Sequence, residues 1–405
     1  LVIRRSSFVE GVMGRTWWGL CGALVLVLAA LVLWPPPPRH LSNWGGPAPT
    51  AEGLIARARA LPTLTPRPGA PEPRPAPSAA AQTQDQALAL DQYLNSLVDA
   101  RLFHGAALVA RNGQVLLRKG YGMADSAAAT PNSPGTRFRI ASMSKQFTAM
   151  AVMRLQAEGR LSTADPICTY LPDCPAAWKP ITIRELLSHT SGIPDYTSLA
   201  DFSATQAVSV TPAELVARFR DLPLLFEPGS SYSYGNSGYV LLGQIVERVS
   251  GRPYADFLRE QLFGPLQMAD SGVSQGTGDS GAALGYHDFD HLAAPLDTST
   301  LFGAGALSST VDDLYRWAQA VQSGQLLPAQ IQSEMLTPVR NDYAYGWKVA
   351  VRDGRRQISH PGLIDGFASA ILLAPDDGLT VVVLCNMDSA DAPGIASYLA
   401  TLALQ

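Results

Sequence analysis

The chain has 405 residues, enough for one large domain or two to three smaller ones. Apolar side chains make up 47% and charged ones 16%, which excludes a chain too polar to bury a core. A formal charge of −4 excludes the broad basic field of a nucleic-acid-binding protein, so no nucleic acid is expected as a partner. The charge is uneven: residues 1–84 carry eight Arg against Glu10, Glu52 and Glu72, a net of +5, which leaves −9 on the remainder.

Residues 1–15 form a basic tail with Met13 as a candidate start, and residues 16–34 (TWWGLCGALVLVLAALVLW) carry no charge and are just long enough to span a bilayer. Trp17, Trp18 and Trp34 flank that stretch where indoles favour the interface, and Arg4, Arg5 and Arg15 precede it. The expectation is a single-pass N-terminal transmembrane anchor in the inner (cytoplasmic) membrane, with the rest of the chain on the extracytoplasmic, periplasmic side. A signal peptide followed by secretion is the alternative, but no small-x-small site directly follows Trp34, where the sequence runs into Pro35–Pro38 instead. Residues 35–84 hold thirteen prolines and read as a semi-rigid spacer.

From residue 85 to 405 the pattern is globular. Leu90, Leu94, Leu97, Val98 and Leu102 recur at helical spacing over residues 86–102. Residues 105–111 and 115–121 read as a hairpin turned at Asn112-Gly113. Helices are predicted over 141–158, 183–188, 212–220, 237–250, 253–262 and 311–322, each punctuated by Pro, Gly or a capping residue. Strands return at 345–352, 356–360, 367–374 and 379–385, and a helix closes the chain at 392–404. The economical arrangement is an α+β fold, an α/β sandwich whose antiparallel sheet is built from both ends of the region, flanked by helices and carrying an inserted helical lobe. A cleft between sheet and lobe follows. Cys168 and Cys174, six residues apart around Leu171-Pro172, form either a disulfide across a turn or two small buried thiols. No Cys-x-x-Cys pair exists, so no structural zinc is expected, and nothing calls for a cofactor or other metal.

Ser142 and Lys145 stand three apart at the start of a predicted helix and so stack on one face of its first turn. A serine hydroxyl needs a neighbouring base, and a lysine serves once burial lowers its pKa. Ser144 points to another face. Tyr234-Gly235-Asn236 precedes the helix at 237: a phenol shares proton transfer, and an amide anchors the lysine or binds a substrate amide. His360-Pro361-Gly362 reads as a strand end where glycine admits substrate to the backbone, with the Leu363 amide next in line.

In that order the three motifs resemble the signature of the serine β-lactamase and penicillin-binding-protein superfamily. The segments 181–193, 227–229, 234–243 and 305–313 narrow the resemblance to the class C branch of β-lactamases, D-Ala-D-Ala carboxypeptidases and esterases. The resemblance implies an acyl-enzyme on Ser142, Lys145 and Tyr234 as the proton-handling pair, and Asn236, His360 and Gly362 lining the site. It also implies the amides of Ser142 and Leu363 as oxyanion donors. His360 replaces the lysine of true class C β-lactamases, Pro361 lacks the usual hydroxyl, and Gly235 replaces a serine. These departures turn the expected substrate from β-lactams toward D-amino-acid peptides or esters. A β-lactamase and a non-hydrolytic envelope sensor or scaffold are the competing readings. Gly278-Asp279-Ser280-Gly281 resembles a trypsin-like loop only locally. His189 reads as a buried structural histidine, and His287 and His291 as solvated loop residues.

Overall fold

The two ends of the globular region meet in one sheet. The computed structural model describes residues 79–274, 281–352 and 354–405, with side chains from residue 83 onward. All belong to the second of two units, Leu1–Arg74 and Pro75–Gln405. The expected anchor at 16–34 and most of the 35–84 spacer lie outside the described residues, as does the 278–280 part of the trypsin-like loop. Among the described residues no helix is long and apolar enough to cross a membrane.

The strands are β1 Gly105–Arg111, β2 Gln114–Tyr121, β3 Met123–Asp125, β4 Thr130–Pro131, β5 Phe138–Arg139, β6 Gly272–Val273, β7 Leu307–Ser309, β8 Lys348–Arg352, β9 Arg355–Ile364, β10 Phe367–Ala374 and β11 Leu379–Cys385. The main sheet has the order β2-β1-β11-β10-β9-β8, antiparallel throughout. Its first hairpin turns at Asn112 and Gly113, both with positive φ (51° and 79°), the left-handed pair a two-residue turn requires. Central β11 reads LTVVVLC and is buried along its whole length, because helices cover both faces of the sheet. Val382 and Leu384 join the core beneath the helical lobe, whereas Leu379, Val381, Val383 and Cys385 join the core on the other face.

That second face is closed by α1 (Ala79–Asp99) and, at the chain's end, α11 (Ala392–Leu404). The lobe contributes α2 Ser144–Ala157, α3 Ile183–Leu187, α4 Phe202–Thr205, α5 Pro212–Ala217, α6 Ser237–Ser250, α7 Tyr254–Leu258, α8 Phe302–Gly305, α9 Val311–Ser323 and α10 Ala329–Met335. Helix α2 is buried on nearly all sides, as the central rod of the lobe.

Several boundaries differ from expectation for physical reasons. Helix α1 starts at Ala79, inside the stretch assigned to the spacer, since Pro77 is the last proline before it. The predicted helix at 141 opens instead as a 3-10 turn, Ala141–Met143, and becomes α-helical at Ser144. Helix α10 escaped prediction because Met335 is its one buried residue, too few to set a period. The strand expected from 345 begins at Lys348, since Gly346 takes φ +74°. Strand β9 does not end at His360-Pro361-Gly362: it runs on to Ile364 and turns at Gly366 (φ +83°). Pairing with β8 stops at Ser359, so Pro361 falls on a free edge where its missing N–H takes nothing from that ladder. Cys168 and Cys174 are joined by a disulfide, with Cα atoms 5.4 Å apart.

Candidate active site

Ser142 is lifted into place by a strained turn. Ala141, just before it, has φ +48°, a left-handed conformation that a residue with a Cβ adopts only when its surroundings enforce it. The enforcement comes from β9 and β10. Ser369 on β10 donates to the Ile140 carbonyl at 2.9 Å. Gly362 on β9 passes so close that a Cβ there would lie 2.3 Å from the Ile140 oxygen. Glycine in the third motif thus lets the sheet edge press against the nucleophile turn.

Lys145 is fully buried, and its Nζ lies 3.1 Å from Ser142 Oγ, 2.8 Å from Asn236 Oδ1 and 2.9 Å from the Ala304 carbonyl. The two carbonyl oxygens can only accept. A neutral amine therefore spends both hydrogens on them and turns its lone pair to the serine hydroxyl. Burial lowers the Lys145 pKa to about 7, with the Asp195 carboxylate pulling partly the other way. Near neutrality the amine is thus available as a base.

The Asn236 amide is itself held in one orientation. Its Nδ2 donates to Asp195 Oδ2 (3.3 Å) and Thr197 Oγ1 (3.0 Å), and its backbone N–H donates to Asp195 Oδ1 (3.1 Å). Both Nδ2 hydrogens are engaged, so in this geometry Asn236 anchors the lysine. Gly235 fits the same arrangement, for a Cβ there would come within 3.3 Å of the Asp195 Cβ. Asp195, Thr197 and the Ala304 carbonyl did not emerge from the sequence. The Pro-Asp-x-Thr turn after the 181–193 segment was the available signal, since Asp195 also caps its own turn at Thr197.

The Tyr234 ring centre is 4.9 Å from Lys145 Nζ. Burial pushes its phenol pKa upward, and a hydrogen bond with Ser142 opposes the rise. With 36% of its surface exposed, Tyr234 is partly solvated, and the direction follows from the rings around it. His189, Tyr343 and His360 lie 4.3, 6.0 and 6.4 Å away, ring centre to ring centre. His189 is buried as expected, with Nδ1 accepting from the Gly235 N–H at 3.3 Å.

His360 is 2% exposed, and its Nε2 lies 2.9 Å from the Tyr343 hydroxyl. Its Nδ1 lies 2.6 Å from the Pro361 carbonyl. Burial, with Lys145 and Lys348 adding to it, drives its pKa down to about 3, so the ring is neutral. A cavity of about 160 Å³ opens beside the nucleophile, lined by Ser142, Asn236, Ala304, Leu363 and Asp365 among others. Leu363 is 65% exposed at its rim. A larger cavity of about 650 Å³ lies beyond Leu296 and contains none of the motif side chains. His287 pairs with Asp388 (2.7 Å) and His291 with Asp288 (2.8 Å), away from Ser142.

A nucleophile and a desolvated amine on one helical turn, joined by a phenol from a distant segment, define a serine hydrolase of the β-lactamase and penicillin-binding-protein type. The Beta-lactamase family model matches residues 90–404, and the chain belongs to that family. It is 31% identical over 286 residues to the "Putative penicillin-binding protein PbpX" of Bacillus subtilis, covering 70% of each chain. Among solved structures it resembles the octameric penicillin-binding protein homologue from Pyrococcus abyssi (TM-score 0.71, 28% identity, covering 78% of this chain and 77% of that one). It also resembles a D-stereospecific amidohydrolase from Streptomyces (TM-score 0.66, 26% identity, covering 77% and 97%).

Proposed function

We propose that the protein hydrolyses D-amino-acid peptides or esters through an acyl-enzyme on Ser142, in the cell envelope. The observation that carries this reading is the Lys145 amine, fixed between two carbonyls with Ser142 Oγ in its third direction. Ser142 Oγ attacks the acyl carbon as its proton passes to Lys145 Nζ. The phenol of Tyr234, kept protonated, relays that proton to the departing amine or alcohol. Water then attacks the acyl ester, and its proton returns through Lys145 as Ser142 is released. The amides of Ser142 and Leu363 are assigned to the developing oxyanion.

The preference for D-amino-acid substrates draws support from the D-stereospecific amidohydrolase likeness and from the departures at His360 and Pro361. The envelope location draws support from the uncharged 16–34 stretch, the proline-rich spacer and the Cys168–Cys174 disulfide, which belongs in an oxidising compartment. The test is labelling by a fluorophosphonate probe, followed by a panel of p-nitrophenyl esters, D-Ala-D-Ala peptides and β-lactams on wild type and Ser142→Ala. Labelling and turnover that vanish in Ser142→Ala are expected. Absence of both in the wild type defeats the hydrolase reading, and β-lactam turnover exceeding the rest replaces it with a β-lactamase.

A further inference from the structure

The third-motif histidine is closed off on both nitrogens. The Pro361 carbonyl can only accept, so the Nδ1 at 2.6 Å carries the ring proton, and Nε2 accepts from the Tyr343 hydroxyl at 2.9 Å. No hydrogen remains on His360 for a substrate. Pro361 offers neither hydroxyl nor N–H. Among the described residues, the one charged side chain lining the cavity beside Ser142 is a carboxylate, Asp365, whose Oδ2 accepts from Gln206 Nε2 at 2.6 Å. Cations stand nearby but outside that cavity. Lys348 is exposed on β8, and Arg139, which lines the neighbouring cavity together with Asp365, donates to the Leu296 carbonyl at 3.1 Å. Lys145 is committed to Ser142, Asn236 and Ala304.

Resting on the hydrolase reading, we infer that Tyr343 is a positioning residue that fixes the His360 proton on Nδ1, so that the ring offers a wall without a donor, and that the site therefore takes acyl substrates whose leaving side ends in an ester or amide rather than a free carboxylate. A carboxylate entering here loses water and meets Asp365 without a cation to replace the loss. Tyr343 fixes the tautomer because its hydroxyl donates to Nε2, the position from which His360 could otherwise present a proton, while burial and the two lysines keep the ring uncharged. Among the described residues, the groups facing His360 are Tyr343 itself, the Tyr234 ring, Lys145 from α2, Lys348 from β8 and the buried, neutral His189. None is an acid that would favour the charged ring.

The deciding experiment compares acetyl-D-Ala-D-Ala with its C-terminal carboxamide, which share one scissile bond and differ only in the distal charge. The full chain is expected to favour the carboxamide in kcat/KM by about tenfold or more. Tyr343→Phe should narrow that ratio by freeing Nε2 to carry the ring proton toward a substrate carboxylate, an effect seen in KM for the carboxylate peptide rather than in kcat. His360→Lys should narrow it independently by installing a cation. Equal or faster cleavage of the carboxylate peptide overturns the inference even where fluorophosphonate labelling is intact, as does an unchanged ratio in both folded variants. Failure of labelling in the wild type defeats the underlying hydrolase reading instead, and this inference with it.

Discussion

In the proposed mechanism Lys145 acts as a base only because of what surrounds it, and its surroundings can be altered one at a time. With its pKa lowered to about 7, the amine loses its proton as pH rises through neutrality. For an ester substrate, kcat/KM should then climb with pH to a plateau above about 7, and a limb near the ordinary lysine range would exclude this role. Asp195 acts on the same group in two ways. It orients Asn236 through two carboxylate oxygens, and its charge raises the Lys145 pKa against the effect of burial. Asp195→Asn removes the charge and leaves a single acceptor oxygen. The expected result is a loss in kcat on the order of 10²-fold from the misplaced amide, with the acid limb moving to lower pH. The two effects are separable in one pH–rate profile, and a limb that moved upward would contradict the assignment.

At the scale of elements, the site depends on how closely β9 approaches the turn that carries Ser142. Gly362→Ala would place a methyl group 2.3 Å from both the Ile140 carbonyl and Ser369 Oγ, and the Ile140 backbone, held by Ser369, cannot yield freely. The variant should lose about 1–3 kcal/mol of stability and most of its turnover, measured by thermal melting and ester hydrolysis. Retention of wild-type kcat would mean that β9 does not set the nucleophile's position. The Cys168–Cys174 bridge closes a short loop in the lobe, so replacing both by Ser should cost about 2 kcal/mol, with little effect on kcat. Much of this was legible in the sequence. The hairpin at Asn112-Gly113, the short apolar runs of β1 and β11 and the three motifs follow from local patterns that repeat or carry chemistry. Other features were not legible, because they arise from contacts between distant segments. Ala304 supplies a backbone oxygen that any residue would carry, and Tyr343 joins His360 only once β8 and β9 have paired. The passage of β9 through Pro361 depends on which edge of the strand is free, and the one-letter code does not mark that.

For the whole molecule, the central sheet separates two cores with different duties. One face packs against α2 and the lobe, and so bears directly on Ser142 and Lys145. The other face is covered by α1 and α11, and none of Ser142, Lys145 and Tyr234 belongs to it. Leu399 on α11 is fully buried in that second core, beside strands β10 and β11. Leu399→Ala removes several methyl groups without a neighbour to fill the space, at a cost of about 2–5 kcal/mol. Phe147 on α2 is equally buried but stacks on Trp317, with ring centres 4.2 Å apart, in the core beneath the site. Phe147→Ala costs a comparable ~3–5 kcal/mol, yet it also loosens the helix that aims Lys145. Well below their melting temperatures, then, the two variants should have similarly reduced stability but different chemistry. Leu399→Ala should keep a near-normal kcat/KM, and Phe147→Ala should lose both rate and the sharp acid limb. Paired thermal melts and pH–rate profiles decide the point. Equal catalytic losses in both variants would show that the two faces of the sheet act as one unit.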